Sequence, residues 1–307
     1  MKVVNISRTD WANFGYDNEK ALESVGVTAT SYCMIKHPFD YPACSLQLPR
    51  NLIIGAMRRA DVVQIFHSCV SSLNMFKESR SNAKLIVYHA GTIYRNNPQM
   101  FNDLFNPVVI KSVVALGEFS RLGSKNEEYI VGAIDTGHIQ PVYVESQYLR
   151  IAHFPSNAEV KGTDDIRRMI ASLPDDRPFT FDCSTDSVKY IDQLTRMQEC
   201  DIYIELFKPV LAGKKYGSWG ITALEAACMG KIVVTQNLSA DVYERNYGEC
   251  PFILVRTEDE FMQKMRELLS MPYDQIRHLQ ERTREWVVRN HSYKATGERI
   301  VQKILTE

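Results

Sequence analysis

The stretch from Tyr216 to Thr235 reads YGSWGITALEAACMGKIVVT, and several of its residues are of types that could do chemistry. Gly217 and Gly220 bracket Ser218 and Trp219, and helix formers follow from Ile221 to Met229. A glycine loop feeding a helix offers an anion the first backbone N–H groups, which have no partners inside the helix. Glu225 is the single charge in that helix, and Ile221, Leu224 and Cys228 share its face. A carboxylate on an apolar helix needs a partner, because burying it unpaired is costly. Gly230 stands where a left-handed residue would end the helix, and Ile232-Val233-Val234 reads as a buried strand.

A second group lies upstream in HFPSNAEVKGTDDI. Lys161-Gly162 falls in a loop after a strand, with Thr163 expected as N-cap and Asp164 and Asp165 in the first helical turn. An ammonium so placed can meet a diphosphate, and Ser156 and Gly162 keep the loop open to it. Phosphate at the glycine loop and hydroxyl groups donating to Glu225 together describe a nucleotide-sugar site. Each residue also has a plainer reading. Lys161 can be a solvated lysine, the glycine pair a tight turn, and Glu225 a core carboxylate satisfied by backbone donors or an arginine.

These residues need a frame of strands and helices. In the first half, strands are expected at 2–6, 27–33, 61–66, 84–88, 112–116 and 128–131, with helices at 17–24, 52–59 and 71–78. In the second half, strands are expected at 149–153, 179–183, 201–206, 232–235 and 252–255. Helices are expected there at 164–173, 188–200, 221–229 and 258–269, with two more at 273–289 and 292–305. This alternation predicts an α/β protein with two doubly wound parallel sheets in tandem. The boundary is expected at 140–147, after Pro141. In open parallel sheets ligands bind beyond the carboxyl ends of the strands, where Lys161 and the glycine loop both fall.

Composition narrows the class. The 307 residues allow two domains, and 45% hydrophobic with 24% charged is ordinary for a globular protein. Residues 1–145 carry 14 Lys+Arg against 13 Asp+Glu, and residues 146–307 carry 22 against 24. Neither half has the positive excess of a nucleic-acid binder. No apolar run approaches a membrane span, and MKVVNIS lacks a signal-peptide core, so a cytoplasmic protein is expected. Seven scattered cysteines without a CxxC pair predict reduced side chains and no zinc site.

GSWGITALEAACMGKIVV resembles the signature of retaining glycosyltransferases of the GT-B fold, in the large group 1 or family-4-like set that contains sucrose synthase and bacterial mannosyl- and glucosyltransferases. HFPSNAEVKGT resembles the strand, loop and Lys-Gly segment that precedes the signature, and CDIYIE a further strand. RRADVVQIFHS and VYHAGTIYR resemble paired strands ending in histidine, and EYIVGAIDTGHIQP the lead into the hinge. The resemblance implies two Rossmann-like domains with a cleft between them: 1–143 on the acceptor side and 144–290 binding the nucleotide sugar. The last helix, 291–307, would pack back on the first domain.

By the same resemblance, Lys161 would neutralise the donor diphosphate, with Ser156 alongside. The loop Gly217, Ser218, Trp219, Gly220, Ile221 and Thr222 would hold the diphosphate through its backbone. Glu225 would accept hydrogen bonds from the ribose, and His89 would touch donor sugar or acceptor. Asp10, Asn13, Gly15 and Arg95 would lie on the acceptor side. The family's first glutamate, eight positions before the second, is here Gly217, and Glu205 is the carboxylate on the same rim that could contact the donor sugar. The donor would be UDP- or GDP-linked, and the acceptor a glycan or a lipid-linked or protein-linked group. No cofactor or metal is implied, and the chain has no Asp-x-Asp motif. A nucleotide-sugar epimerase of GT-B build and a catalytically silent sugar-nucleotide binder are the competing readings.

Overall fold

The computed structural model describes every residue except 145, 147, 175, 176, 187 and 307. Residues 145 and 147 of the expected boundary segment, and Glu307 of the expected last helix, therefore lie outside the described residues. The chain forms two compact units. The first contains Met1–Asp135 and His291–Glu307, and the second Thr136–Asn290.

In the first unit the described strands are β1 (Lys2–Thr9), β2 (Thr28–Ile35), β3 (Leu46–Gln47), β4 (Val62–Phe66), β5 (Lys84–His89), β6 (Lys111–Val114) and β7 (Glu127–Tyr129). They form one parallel sheet in the order β3-β2-β1-β4-β5-β6-β7. All five residues of β4 are buried, as expected of a strand covered on both faces. The order reverses direction between β1 and β4, which is the switch point of a doubly wound sheet. Helices Gly91–Asn96 and Pro98–Phe105 escaped the sequence reading. Gly91, at φ +77°, and Pro98 at a helix start break up the periodicity that would have shown them.

The last segment belongs to this unit. Ser292 caps helix Tyr293–Ile300 by accepting from Ala295 N–H at 3.3 Å, as its position suggested. The helix lies on helix Phe14–Glu23. The Tyr293 hydroxyl donates to Asp17 at 2.8 Å, and Ile300 and Ile304 join the core beneath the sheet. Gly297 is the point of closest approach, since a Cβ there would stand 2.1 Å from the Ala21 carbonyl oxygen.

In the second unit the described strands are β8 (Leu149–Ala152), β9 (Phe179–Asp182), β10 (Ile202–Leu206), the hairpin pair β11 (Val210–Leu211) and β12 (Lys214–Lys215), β13 (Ile232–Thr235) and β14 (Ile253–Leu254). All but the hairpin form a parallel sheet in the order β14-β13-β10-β8-β9. Its switch point lies between β8 and β10. The second unit begins at Thr136, ahead of the expected Pro141. Residues 136–144 are tied into it by a half-buried arginine, a buried lysine and a phenol. Arg284 donates to the carbonyls of Thr136 and Ile139 at 2.8 and 2.9 Å, Lys231 to Val142 at 2.6 Å, and the Tyr273 hydroxyl to Val144 at 3.0 Å. Among the described residues no helix is long and apolar enough to cross a membrane.

Gly297→Ala must push two packed helices apart, whereas at Gly55, inside helix Arg50–Arg58, an added Cβ meets only the Arg59 side chain, at 3.6 Å. Gly297→Ala is expected to lose about 2 kcal/mol or more in urea unfolding, while Gly55→Ala loses nothing. Equal stability of the two variants would contradict this packing.

Candidate functional site

The site in the second unit is built where β8 and β10 end. Glu205 is the next-to-last residue of β10. Ile204 pairs with Val234 and Leu206 with Thr235, so Glu205 is the extra residue of a bulge. A bulge re-aims a side chain, and here the carboxylate meets the ammonium of Lys161 in an ion pair. The Glu205 side chain is 1% exposed and that of Lys161 19%, so the lysine is the member that solvent reaches. The other carboxylate oxygen accepts from the Thr235 hydroxyl at 3.4 Å.

The loop expected to carry Lys161 is a helical turn, Ala158–Lys161. Asn157 caps it by accepting from Val160 N–H at 3.0 Å, and Ser156 stands exposed just before the turn. Gly162, and not Thr163, precedes the next helix as its N-cap residue. The reason is His153, which takes the Thr163 hydroxyl for itself. Its Nδ1 lies 2.8 Å from the Ile204 carbonyl, so that nitrogen carries the proton. Nε2 therefore accepts from Thr163 Oγ at 3.0 Å. Burial pushes the His153 pKa down to about 4, keeping the ring neutral beside Lys161. Gly162 has φ +74°, and a Cβ there would stand 1.8 Å from the Phe207 carbonyl oxygen. Phe207 N–H donates to the Lys161 carbonyl at 3.1 Å, which straps the lysine to the end of β10.

The glycine loop arrives at the same place. A Cβ on Gly220 would be 3.8 Å from Glu205 Oε1, so the N-terminus of helix Ile221–Cys228 stands beside the ion pair. No side chain caps that helix, and Ile221 and Thr222 in its first turn are only half-buried. Ser218 Oγ is buried with no hydrogen-bond partner among the described residues. The Trp219 side chain instead anchors the loop. It packs against Tyr243, Phe252 and Trp286 with ring centres 5.4, 5.2 and 6.3 Å away. Gly230 has φ +71°, the left-handed conformation its position suggested. Gly217 is not an open phosphate loop residue. It is buried at φ +108°, its carbonyl accepts from Leu238 N–H at 3.0 Å, and a side chain there has no room.

Glu225 is buried, and the Tyr190 hydroxyl hydrogen-bonds to it. Desolvation raises its pKa to about 7, partly opposed by that hydrogen bond. Sequence reasoning missed His153, Tyr190 and Gln236. His153 ends an apolar strand and so carried a faint signal, while Tyr190 and Gln236 carried none.

In the first unit, Asp10, Asn13 and Gly15 follow the carboxyl end of β1, and His89 and Arg95 lie at and beyond the end of β5, but their side chains are largely occupied. Asp10 accepts from Gly15 N–H at 2.7 Å, Tyr16 N–H at 2.9 Å and Ser45 Oγ at 2.7 Å. It therefore caps helix Phe14–Glu23, and burial raises its pKa against those three hydrogen bonds. Gly15 packs closely, since a Cβ would lie 3.0 Å from Ser31 Oγ and 3.1 Å from Asp10 Oδ1. Asn13 donates to the Ala43 carbonyl at 3.0 Å. Arg95 is held by Glu118 at 2.6 Å.

His89 departs from the expected sugar contact. It is fully buried, pairs with Ser68 Oγ at 2.8 Å and stacks on Tyr94 at 4.1 Å. Burial lowers its pKa to about 3, and the side chain packs the sheet edge without reaching solvent. Ala12, Asn13, His67 and Ser68 all have left-handed φ, between +51° and +58°. Such conformations cost roughly 1 kcal/mol or more each in non-glycine residues and cluster at working sites.

No family model and no curated protein matches the chain. Solved structures do. The Anabaena protein HepE, solved with UDP and glucose, aligns with TM-score 0.71 at 11% identity over 100% of both chains. Sucrose-phosphate synthase from Thermosynechococcus elongatus aligns with TM-score 0.65 at 10% identity over 98% of both. Trehalose-6-phosphate synthase OtsA gives 0.65 at 9% identity, over 100% of this chain and 99% of that one. The chain has the GT-B fold. Within that fold the Lys161–Glu205 pair sits at the switch point of the C-terminal sheet, and the glycine loop opens the helix beside it.

Glu225 gives a pH signature. Its carboxyl has an ordinary value of 4.5 and a folded value of about 7, so the folded state holds the extra proton between them. Stability therefore falls as pH rises through that window, by about 3 kcal/mol from this group. Glu225→Gln removes the term. In urea unfolding, the variant should gain about that much on wild type between pH 4.5 and pH 8. A difference between the two proteins that stays constant with pH would contradict the buried acid.

Proposed function

We propose that the protein transfers a sugar from a nucleoside-diphosphate sugar to an acceptor with retention of anomeric configuration. The observation that carries this reading is the meeting of Lys161, Glu205 and the uncapped helix N-terminus at Gly220. The fold neighbour HepE was solved with UDP and with UDP-glucose, which supports a nucleotide-sugar donor.

A diphosphate would take the Lys161 ammonium from Glu205 and accept from the first N–H groups of helix Ile221–Cys228. The displaced Glu205 carboxylate would then accept from donor sugar hydroxyls, a contact Gly217 cannot make. Glu225 would accept from the ribose, whose hydroxyl groups favour the ionised carboxylate, so donor binding would release a proton near neutral pH. The leaving diphosphate would take the acceptor proton on the same face of the sugar. The protein's share would be positioning and stabilisation of the leaving charge. The acceptor is assigned to the first unit, near the strained ends of β1 and β4. His89 has no part in this account.

A silent nucleotide binder is the second reading, and the resting Lys161–Glu205 pair favours it, because the cation is already neutralised. Release of nucleoside diphosphate from a panel of UDP- and GDP-sugars separates the two, and NMR of the product reports the anomer. Removing one preorganised donor to a developing oxyanion costs roughly 10²–10³ in rate. Lys161→Ala should lose about that much in kcat, with a smaller change in KM. Unchanged kcat in this variant would remove Lys161 from the mechanism.

A further inference from the structure

Gln236 follows β13 directly and is buried. Its side-chain amide is fully engaged with backbone. Oε1 accepts from Lys208 N–H at 2.6 Å, and Nε2 donates to the Lys208 carbonyl at 2.9 Å and to the Tyr216 carbonyl. One amide thus joins the segment after β10, the glycine loop and the end of β13. Backbone links run beside it: Leu238 N–H donates to the Gly217 carbonyl at 3.0 Å, and Ser218 pairs with Asn237 in an antiparallel bridge.

Space is used as fully as hydrogen bonds. A Cβ on Gly217 would stand 1.9 Å from Gln236 Nε2, so the amide and a side chain at 217 exclude each other. The neighbouring residue, Thr235, donates to Glu205 at 3.4 Å. The end of β13 therefore braces both the acid of the ion pair and the loop that faces it.

We propose that Gln236 is the positioning residue of the diphosphate loop. Through Tyr216 and Gly217 it fixes where the chain enters helix Ile221–Cys228, and so where the first N–H groups stand relative to Lys161. The proposal rests on the functional reading above and adds to it the residue that sets the loop. The chemistry requires an amide, because the position faces one N–H and two carbonyls. A methionine has similar length but makes none of these three hydrogen bonds. A carboxylate accepts from Lys208 N–H but sets its second oxygen against two carbonyls. A protonated carboxylic acid again offers one donor and one acceptor.

The test compares wild type, Gln236→Met and Gln236→Glu by calorimetric titration with UDP and with GDP, and by hydrogen exchange at the Lys208 and Leu238 amides. Both variants should exchange faster at these amides and bind the nucleotide at least roughly tenfold more weakly at pH 8. Relative to wild type, Gln236→Glu should recover affinity as pH falls towards 5, and Gln236→Met should not. A merely structural side chain would not give that pH-dependent rescue. Wild-type affinity in both variants overturns the proposal, and so does unchanged exchange. If Gln236→Met fails to fold, the pH dependence of Gln236→Glu decides alone. A wild-type protein that binds neither nucleotide is a distinct result. It fails the functional reading, and the positioning role falls with it.

Discussion

The ion pair between Lys161 and Glu205 is the constraint on which the second unit's site depends. Two charges taken out of water lose hydration that their attraction recovers only with good geometry and further hydrogen bonds. Here Glu205 is sealed and Lys161 keeps a path to solvent. Removing Lys161 would leave a buried carboxylate that, among the described residues, keeps only the Thr235 hydroxyl, a long hydrogen bond at 3.4 Å. A ligand that takes the lysine must bring more negative charge than one carboxylate, and must leave Glu205 something to accept from. A nucleoside-diphosphate sugar meets both requirements with its phosphates and its hydroxyl groups.

The surrounding structure holds that pair in place. The bulge at Glu205 turns an otherwise buried strand residue towards the sheet edge. His153, kept neutral by burial, bolts the end of β8 to β10 and to the next helix without placing a second positive charge beside Lys161. Gly162 allows Lys161 to lie against the Phe207 backbone, where any side chain would collide. Trp219 plants the glycine loop in an aromatic cluster, so the helix N-terminus is presented by a rigid body.

Much of this was legible in the sequence, for identifiable reasons. The buried parallel strands announce themselves as apolar β-branched runs, such as Ile232–Thr235 and Val62–Phe66. Lys161, Gly220 and Glu225 stood out because each is a chemical exception within a regular pattern. What stayed hidden depends on contacts between distant segments. The Thr163 hydroxyl looked like a cap because its partner His153 lies across a turn. Gly217 looked like an open loop because Gln236 fills its side-chain space from 19 residues away. His89 sits at the end of a strand, where a ligand contact is plausible, but stacking on Tyr94 buries it. Periodicity cannot show such pairings, because they are set by the fold.

The central claim is that the Lys161 ammonium and the helix N-terminus at Gly220 form a nucleoside-diphosphate site. Thermal unfolding with UDP, GDP, ADP and their sugar conjugates tests it most directly, since a ligand that binds only the folded state raises the melting temperature. A rise with a nucleoside diphosphate in the wild type, smaller in Lys161→Ala, is the predicted result. No rise with any of these ligands, or an equal rise in Lys161→Ala, would contradict the claim.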